Sequence, residues 1–280
     1  MDERGLGKRL QEARQAAGLT QQQLCQKANL SFSTLTKIER GAIKSPSIFT
    51  IQAIAGAVGL SLDELVGQAT PVRNLKRTKN GASFIYFDVN GTLVLYYQRA
   101  FAEIAKDTGA PIDAVETAYW HYNDDVCRGE LTEAEFNAKF AERLGVESID
   151  WLKYYMDVIE PVEEMHDVVK WAAENYKVGL LTNIMPGLIK TLKQKGIIPN
   201  INYDAVVDSA EVGITKPDAR IYEIALDLAG CPPEEILFID DLRPNLTAAE
   251  KQGWNILSFD DSRPAQSAEY VRQALEPATD

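Results

Sequence analysis

Phe84-Ile85-Tyr86-Phe87-Asp88-Val89-Asn90-Gly91-Thr92-Leu93 is the stretch that decides the fold of most of this chain. Ser83–Phe87 reads as a buried strand, and Asp88 stands where that strand ends. Downstream, Val178–Leu181, Ala205–Val207, Ile236–Ile239 and Ile256–Phe259 are further short apolar runs, each following a helical stretch. Strands alternating with helices imply a parallel sheet with right-handed crossovers. Residues 98–158 are almost wholly helical in pattern, so the insert after the first strand is expected over the sheet's C-terminal edge as a cap. The expected body is therefore 82–277, with its core in 82–97 and 161–277 and a helical cap in 98–160.

Upstream the pattern is different. Leu6, Leu10 and Ala13 share one face of a helix running to Ala17, with Gly18 as its stop. Thr20 caps QQQLCQKA, the chain turns at Asn29-Leu30, and Ser31 starts FSTLTKIER, closed by Gly41. Residues 48–58 form a fourth helix, apolar on most faces and so expected in the core. Ser61–Leu65 is a fifth, capped by Ser61. Five short helices make an all-α head, 1–68. Residues 69–81 lack apolar periodicity and are basic, which reads as a linker.

Bulk properties bound the function. The chain has 280 residues, enough for one small and one ordinary domain, and no apolar run long enough to span a membrane. The N-terminus lacks a signal peptide's apolar core. Cys25, Cys127 and Cys231 have no metal-ligand spacing, and His121 and His166 are too few for a zinc site. The expected setting is cytoplasmic, with reduced thiols. Net charge is −12, which alone argues against nucleic acid, but its distribution is uneven. Residues 1–80 hold 12 Lys and Arg against 6 Asp and Glu, a net of +6; the remainder holds 17 against 35, a net of −18. A basic head suits phosphate, and an acidic body is kept from it.

Four motifs follow one another in the body: Asp88-Val89-Asn90-Gly91-Thr92 after the first strand, Thr182-Asn183 after the second core strand, Lys216-Pro217 before a helix, and Asp240-Asp241 with Asn245 after another strand. Each alone is weak; a lone D-x-N-G-T reads equally as a tight turn. In this order they resemble the haloacid dehalogenase (HAD) superfamily, over about residues 82–277. The cap around Trp120, Arg128-Gly129-Glu130 and Phe136 is similar to helical caps of small sugar-phosphate phosphatases in that superfamily. The resemblance implies a Rossmann-like α/β body with ligands at the carboxyl ends of the strands. It makes Asp88 the nucleophile that carries an aspartyl-phosphate. It assigns Mg²⁺ to Asp88, the Asn90 backbone carbonyl and the Asp240-Asp241 pair. Thr182 and Asn183 would bond the phosphoryl oxygens, and Lys216 would offset their charge.

Position 90 departs from that pattern. Residues i and i+2 at a strand end face one side, and position 90 is where the superfamily's phosphatases put a second Asp as general acid and base. Asn has no proton to exchange, and losing such a group costs about 10²–10⁴ in rate, roughly 3–5 kcal/mol of barrier. Three readings compete: a sensor of a phosphorylated molecule with little turnover, a slow phosphatase using another acid, and non-phosphate chemistry such as dehalogenation. The Asp240-Asp241 metal pair argues against the third.

In the head, Gly18-Leu19-Thr20-Gln21, Ser31-x-x-Thr34-Leu35, Ile38-Glu39-Arg40-Gly41 and Pro46-Ser47 resemble the lambda-repressor and Cro type of helix-turn-helix over residues 6–66. That implies a third helix in the major groove. Gln21 would contact phosphate from a helix N-terminus. Phe32, Ser33, Thr36 and Lys37 form the expected reading face, with Phe32 suited to a thymine methyl or to packing. Lys44 is a phosphate-contact candidate, and Thr34, Leu35 and Ile38 are expected in the core. The whole reads as a transcriptional regulator that binds double-stranded DNA as a homodimer and senses a small phosphorylated ligand. The alternative is a phosphohydrolase with an accessory DNA-binding head.

Overall fold

The computed structural model describes residues 3–43, 45–60, 62, 65 and 75–277. It divides into two compact units, Met1–Arg73 and Asn74–Asp280.

The head contains α1 (Glu3–Ala16), α2 (Gln21–Ala28), α3 (Phe32–Glu39) and α4 (Ile48–Val58). The predicted caps are in place. Thr20 and Gln23 form a reciprocal capping box at the start of α2, Asn29 ends that helix in the left-handed region, and Ser31 and Ser47 cap α3 and α4. Leu10, Leu24, Leu35, Ile38, Ile51 and Ile54 fill the core with Leu65. A Cβ on Gly7 would lie 2.3 Å from the Ile38 carbonyl oxygen, so this glycine lets α1 lie against the end of α3. Arg14 and Glu39, both buried, pair at 2.7 Å, and Arg14 also donates to the Leu19 carbonyl. Two expectations need correction. Thr34 is half-buried rather than core: its hydroxyl is bonded to Ser31 at the helix start. And α4 buries Ile51, Ile54 and Ala55 but leaves Ile48 60% and Phe49 78% exposed, so only one face of this apolar helix is core. Most of the fifth-helix expectation, Ser61 included, lies outside the described residues.

The body is a five-stranded parallel sheet in the order β5-β4-β1-β6-β7, with β1 Phe84–Phe87, β4 Lys177–Thr182, β5 Ala205–Asp208, β6 Ile236–Asp240 and β7 Asn255–Ser258. The period-2 alternation of β1 feeds two cores. Ile85 and Phe87 join the cluster that extends into the cap, while Phe84 and Tyr86 pack with Tyr222, Leu246 and Trp254 on the other face. A short antiparallel ribbon, β2 (Val94–Leu95) with β3 (Glu160–Pro161), is the stem through which the chain leaves and re-enters the core. Between them stand the cap helices α5 (Tyr97–Thr108), α6 (Ile112–Cys127), α7 (Glu133–Leu144) and α8 (Trp151–Val158).

The end of the stretch read as a linker belongs to the body. Lys76 N–H donates to the Asn175 carbonyl, Arg77 pairs with Glu235, Lys79 pairs with Glu276, and Thr78 bridges to Pro277. Two of its basic residues, Arg77 and Lys79, which have no hydrophobic signature, find acidic partners there. Residues 69–74 lie outside the described residues.

Candidate functional site

The candidate residues of the body collect at the carboxyl ends of β1, β4 and β6 and on the loop carrying Lys216. Asp88 follows β1, Thr182 ends β4 and Asp240 ends β6. Lys216 Nζ lies 2.8 Å from Asp88 Oδ1 and 2.6 Å from Asp240 Oδ2, all three side chains being almost fully buried. Asn245 donates to Asp240 at 3.1 Å, and Leu242 N–H donates to Asp240 Oδ1 at 2.7 Å, which fixes that carboxylate. Asp88, Asp240 and Asp241 bring ligand oxygens within 4.8 Å of one another. Gly91 makes this possible: at φ +91°, any Cβ there would meet Asp241 Oδ2 at 2.3 Å.

Electrostatics follow from the crowding. Burial pushes the Asp88 carboxyl up to about 6, with Lys216 opposing and Asp240 reinforcing. Burial and then the neighbouring carboxylates Asp88 and Asp240 push Asp241 up to about 8. Burial works against the charge on Lys216, but the two carboxylates outweigh it and hold its pKa above the usual lysine value. Such a cluster is starved of positive charge. The Asp241 Oδ1 and Thr182 Oγ1 atoms are buried with no hydrogen-bond partner, and an all-oxygen carboxylate set is the kind that holds a hard divalent cation.

Asn90 is wired at both ends. Its Nδ2 donates to the Asn183 carbonyl at 3.1 Å, and its Oδ1 accepts from the Tyr155 hydroxyl on α8 at 3.2 Å. This joins cap to core through one amide. Asn183, expected to bond phosphoryl oxygens, instead spends its side chain on the backbone of Lys216: Nδ2 donates to the Lys216 carbonyl at 2.9 Å, and Oδ1 accepts from the Lys216 N–H at 2.8 Å. It holds the lysine loop, because an amide can match an N–H and a carbonyl of one residue. Thr182 remains free to donate. Tyr155 was not legible as a site residue, since aromatic residues at helical spacing read as core.

On the head, Phe32 (51% exposed), Ser33 and Lys37 lie open on α3. Thr36 is half-buried and its hydroxyl donates back to the Phe32 carbonyl at 2.8 Å. Gln21 is spent differently from the expectation: its amide donates to Glu39 Oε2 at 2.7 Å, completing the buried pair with Arg14. Lys44 lies outside the described residues.

A family model for haloacid dehalogenase-like hydrolases matches residues 84–253, and one for a helix-turn-helix matches residues 10–65. The chain belongs to the haloacid dehalogenase-like hydrolases. Its head is a Cro/C1-type helix-turn-helix domain fused to that HAD body. Over 68 residues the chain is 43% identical to the immunity repressor protein of Bacillus phage phi105, covering 24% of this chain and 46% of the repressor. Over 175 residues it is 26% identical to a pyrimidine 5'-nucleotidase of Escherichia coli, covering 56% and 76%. A HAD family enzyme of Bacteroides thetaiotaomicron, solved in complex with magnesium and inorganic phosphate, shares the fold at a TM-score of 0.51 and 20% identity, over 65% of this chain and 96% of that one. The chain spans less than half the length of several of the curated relatives it matches, the repressor among them. HAD relatives include phosphatases. No helix among the described residues is long and apolar enough to cross a membrane.

Proposed function

We propose that this chain is a DNA-binding transcriptional regulator whose HAD body binds Mg²⁺ and a small phosphorylated molecule and turns it over poorly. The observation that carries the reading is Asn90. The position of the general acid holds an amide whose oxygen and nitrogen are both committed, one to Tyr155 of the cap and one to Asn183 of the core. It ties the cap down and has no proton to exchange. Closure over a ligand therefore survives where leaving-group protonation does not.

Asp88, Asp240 and Asp241, with the Asn90 backbone carbonyl, would hold Mg²⁺, and the buried, unpartnered Asp241 Oδ1 fits that role. When bound, the cation supplies charge that draws in and polarises a phosphoryl group. Lys216 holds Asp88 ionised and in place, and the Thr182 hydroxyl is unspent for a phosphoryl oxygen. In the head, Phe32, Ser33, Thr36 and Lys37 are the proposed base-reading side chains, working as a homodimer on two half-sites. Gln21 and Lys44 are the proposed phosphate contacts, Gln21 through its backbone N–H at the start of α2. The relationship of the head to a phage repressor supports this part.

The second reading, a phosphohydrolase with an accessory head, is favoured by the intact nucleophile–lysine–carboxylate arrangement. One experiment separates them: hydrolysis of a panel of sugar and aryl phosphates by the full chain, with and without Mg²⁺, beside selection of sites from random duplex DNA. A selected site with negligible sugar-phosphate turnover supports the regulator. Ordinary enzymatic turnover with no selected site replaces it. Light scattering on the full chain tests the dimer.

A further inference from the structure

β5 is an edge of the sheet, paired with β4 on one side only. Along it Ala205 and Val207 turn into the core that holds Tyr222, while Val206 points to the opposite face and is 38% exposed. On that face a groove of about 410 Å³ runs between β5 and the helix Leu188–Gln194, a size in the usual range for small-molecule sites. Its walls carry opposite charges. Lys190 and Lys193 stand on the helix, and Asp208 and Glu211 stand at the end of β5 and on the short helix Ser209–Val212. Ile189 and Val206 add aliphatic surface. We propose that this groove binds a free α-amino acid with an aliphatic side chain. Asp208 is the register neighbour of Thr182, so the groove borders the phosphoryl motif, but none of Asp88, Thr182, Lys216 and Asp240 lines it. The inference goes beyond the phosphate reading and stands apart from it.

Asp208 is the residue that asks for a partner. It is 3% exposed, and its Oδ1 accepts from the Ala210 N–H at 2.9 Å, capping the short helix it precedes. No Lys, Arg or His among the described residues pairs with it. Burial pushes its carboxyl up to about 6, with the Ala210 N–H opposing and Glu211 reinforcing. A buried carboxylate without a cation is costly, and an ammonium group in the groove supplies the missing charge. Across the groove, Lys193 Nζ is already turned to the Ile201 carbonyl at 3.1 Å and to the Tyr203 ring. Lys190 is exposed and in no ion pair among the described residues, which leaves it for a carboxylate. A simple amine would satisfy Asp208 and ignore Lys190; a simple acid would do the reverse and be repelled by Asp208. An amino acid answers both, with its side chain against Val206. Ser209, the next residue, is fully buried; it donates to the Cys127 carbonyl at the end of α6 at 2.6 Å and accepts from the Ile184 N–H at 3.0 Å. The groove therefore adjoins the contact that holds this part of the cap to the core.

The test is calorimetric titration of the full chain at pH 8 with L-leucine, glycine, 3-methylbutylamine and 4-methylpentanoate. Leucine should bind, and the amine and the acid, each lacking one charged group, should bind at least about tenfold more weakly. Glycine, lacking the side chain, should lose about fivefold. Asp208→Asn should weaken leucine at least about tenfold. Its amide oxygen can still cap the short helix, so a melt at the same pH shows that the variant is folded. Lys190→Gln, at an exposed position, should bring leucine down to the level of the amine and leave the amine unchanged. Hydrogen exchange should slow on leucine binding in residues 187–194 and 205–213. No saturable binding of leucine at millimolar concentration overturns the proposal, as does undiminished binding in folded Asp208→Asn or protection confined to other segments. Binding of the amine or the acid as tight as leucine overturns the paired recognition of both charges, and glycine as tight as leucine overturns the aliphatic preference. Mg²⁺ and phosphate are left out, so every outcome is independent of the Asp88 cleft.

Discussion

Replacing Asn90 by an aspartate alters one atom at a position where both ends of the side chain are occupied. Tyr155 O–H can still donate to the retained oxygen. The other end changes sign. The Asn183 carbonyl oxygen, 3.1 Å from Nδ2, is an acceptor, and an ionised carboxylate has nothing to give it. Two oxygens at that separation need a proton between them, so the folded variant holds its new carboxyl in the acid form. The pKa of that carboxyl then lies above the unfolded value of about 3.9. The folded state binds the proton more tightly, so stability relative to wild type is unchanged below about pH 4 and falls as pH rises through the raised value. The fall should reach about 1–3 kcal/mol, the cost of an unsatisfied buried polar contact.

A protonated carboxyl beside Asp88 is also the state a general acid requires. Asn90→Asp should therefore raise sugar-phosphate turnover by roughly 10²-fold or more, close to 3 kcal/mol of barrier. The gain should be greatest on the acid side of the same titration. Thermal denaturation from pH 4 to 9 and steady-state hydrolysis over that range read both effects from one variant. Asn-Gly is the dipeptide most open to spontaneous deamidation, so wild-type protein is to be checked by mass spectrometry of the peptide holding Asn90-Gly91. If Asn90→Asp leaves turnover unchanged, or if undeamidated wild type hydrolyses sugar phosphates at ordinary rates, the assignment of position 90 as the missing acid is refuted.

Removing the cation shared by Asp88 and Asp240, as in Lys216→Met, should destabilise the body by about 3–5 kcal/mol without Mg²⁺, because two buried carboxylates lose their partner; an unchanged melting temperature would contradict the buried network. The Asp208 carboxyl is pushed up to about 6 by burial, above its unfolded value, so it costs stability as pH rises from 4 through 6. Asp208→Asn should accordingly be more stable than wild type at pH 8, by about 1 kcal/mol, with the difference gone near pH 4; denaturant melts at the two pH values check it. Binding of the full chain to a selected DNA site should weaken steeply with salt through counterion release. Lys37→Ala should lose more affinity for that site than for random duplex; equal losses in a fluorescence titration would make Lys37 a phosphate contact.

The middle of the sheet was legible because its strands are apolar runs that end at a residue of the site: Phe84–Phe87 then Asp88, Val178–Leu181 then Thr182, Ile236–Ile239 then Asp240. The head was legible for a different reason, since Thr20, Ser31 and Ser47 mark helix starts through local hydrogen bonds that need no knowledge of tertiary structure. What could not be read was how long-range hydrogen bonds are shared out. Gln21 carries the same amide whether it faces a phosphate or Glu39, 18 residues away. Asn183 looks like a ligand donor in its motif, yet its amide matches the two backbone groups of Lys216, 33 residues on. Tyr155 lies in a helix whose spacing signals only burial. Its hydroxyl meets Asn90, 65 residues away, through the packing of the cap, which local pattern does not encode.

The atoms left without partners bear on whether the cleft still works. Thr92 Oγ1, Thr182 Oγ1 and Asp241 Oδ1 are buried and unbonded in the motifs of the site. Each such group costs about 1–3 kcal/mol in a protein whose whole stability is of order 10 kcal/mol. A cleft with nothing to bind would be more stable with valine for either threonine and asparagine for Asp241. Retaining all three, along with a lysine buried between two carboxylates, makes sense if a cation and an anionic ligand repay the cost together. The one change at position 90 leaves that balance alone, because a backbone carbonyl is available there from any residue. On the proposed reading it removes only the proton-transfer step, which depends on the side chain. On the same reading, binding and turnover separate at that single side chain, and a cleft that binds without turning over has the properties a sensor needs.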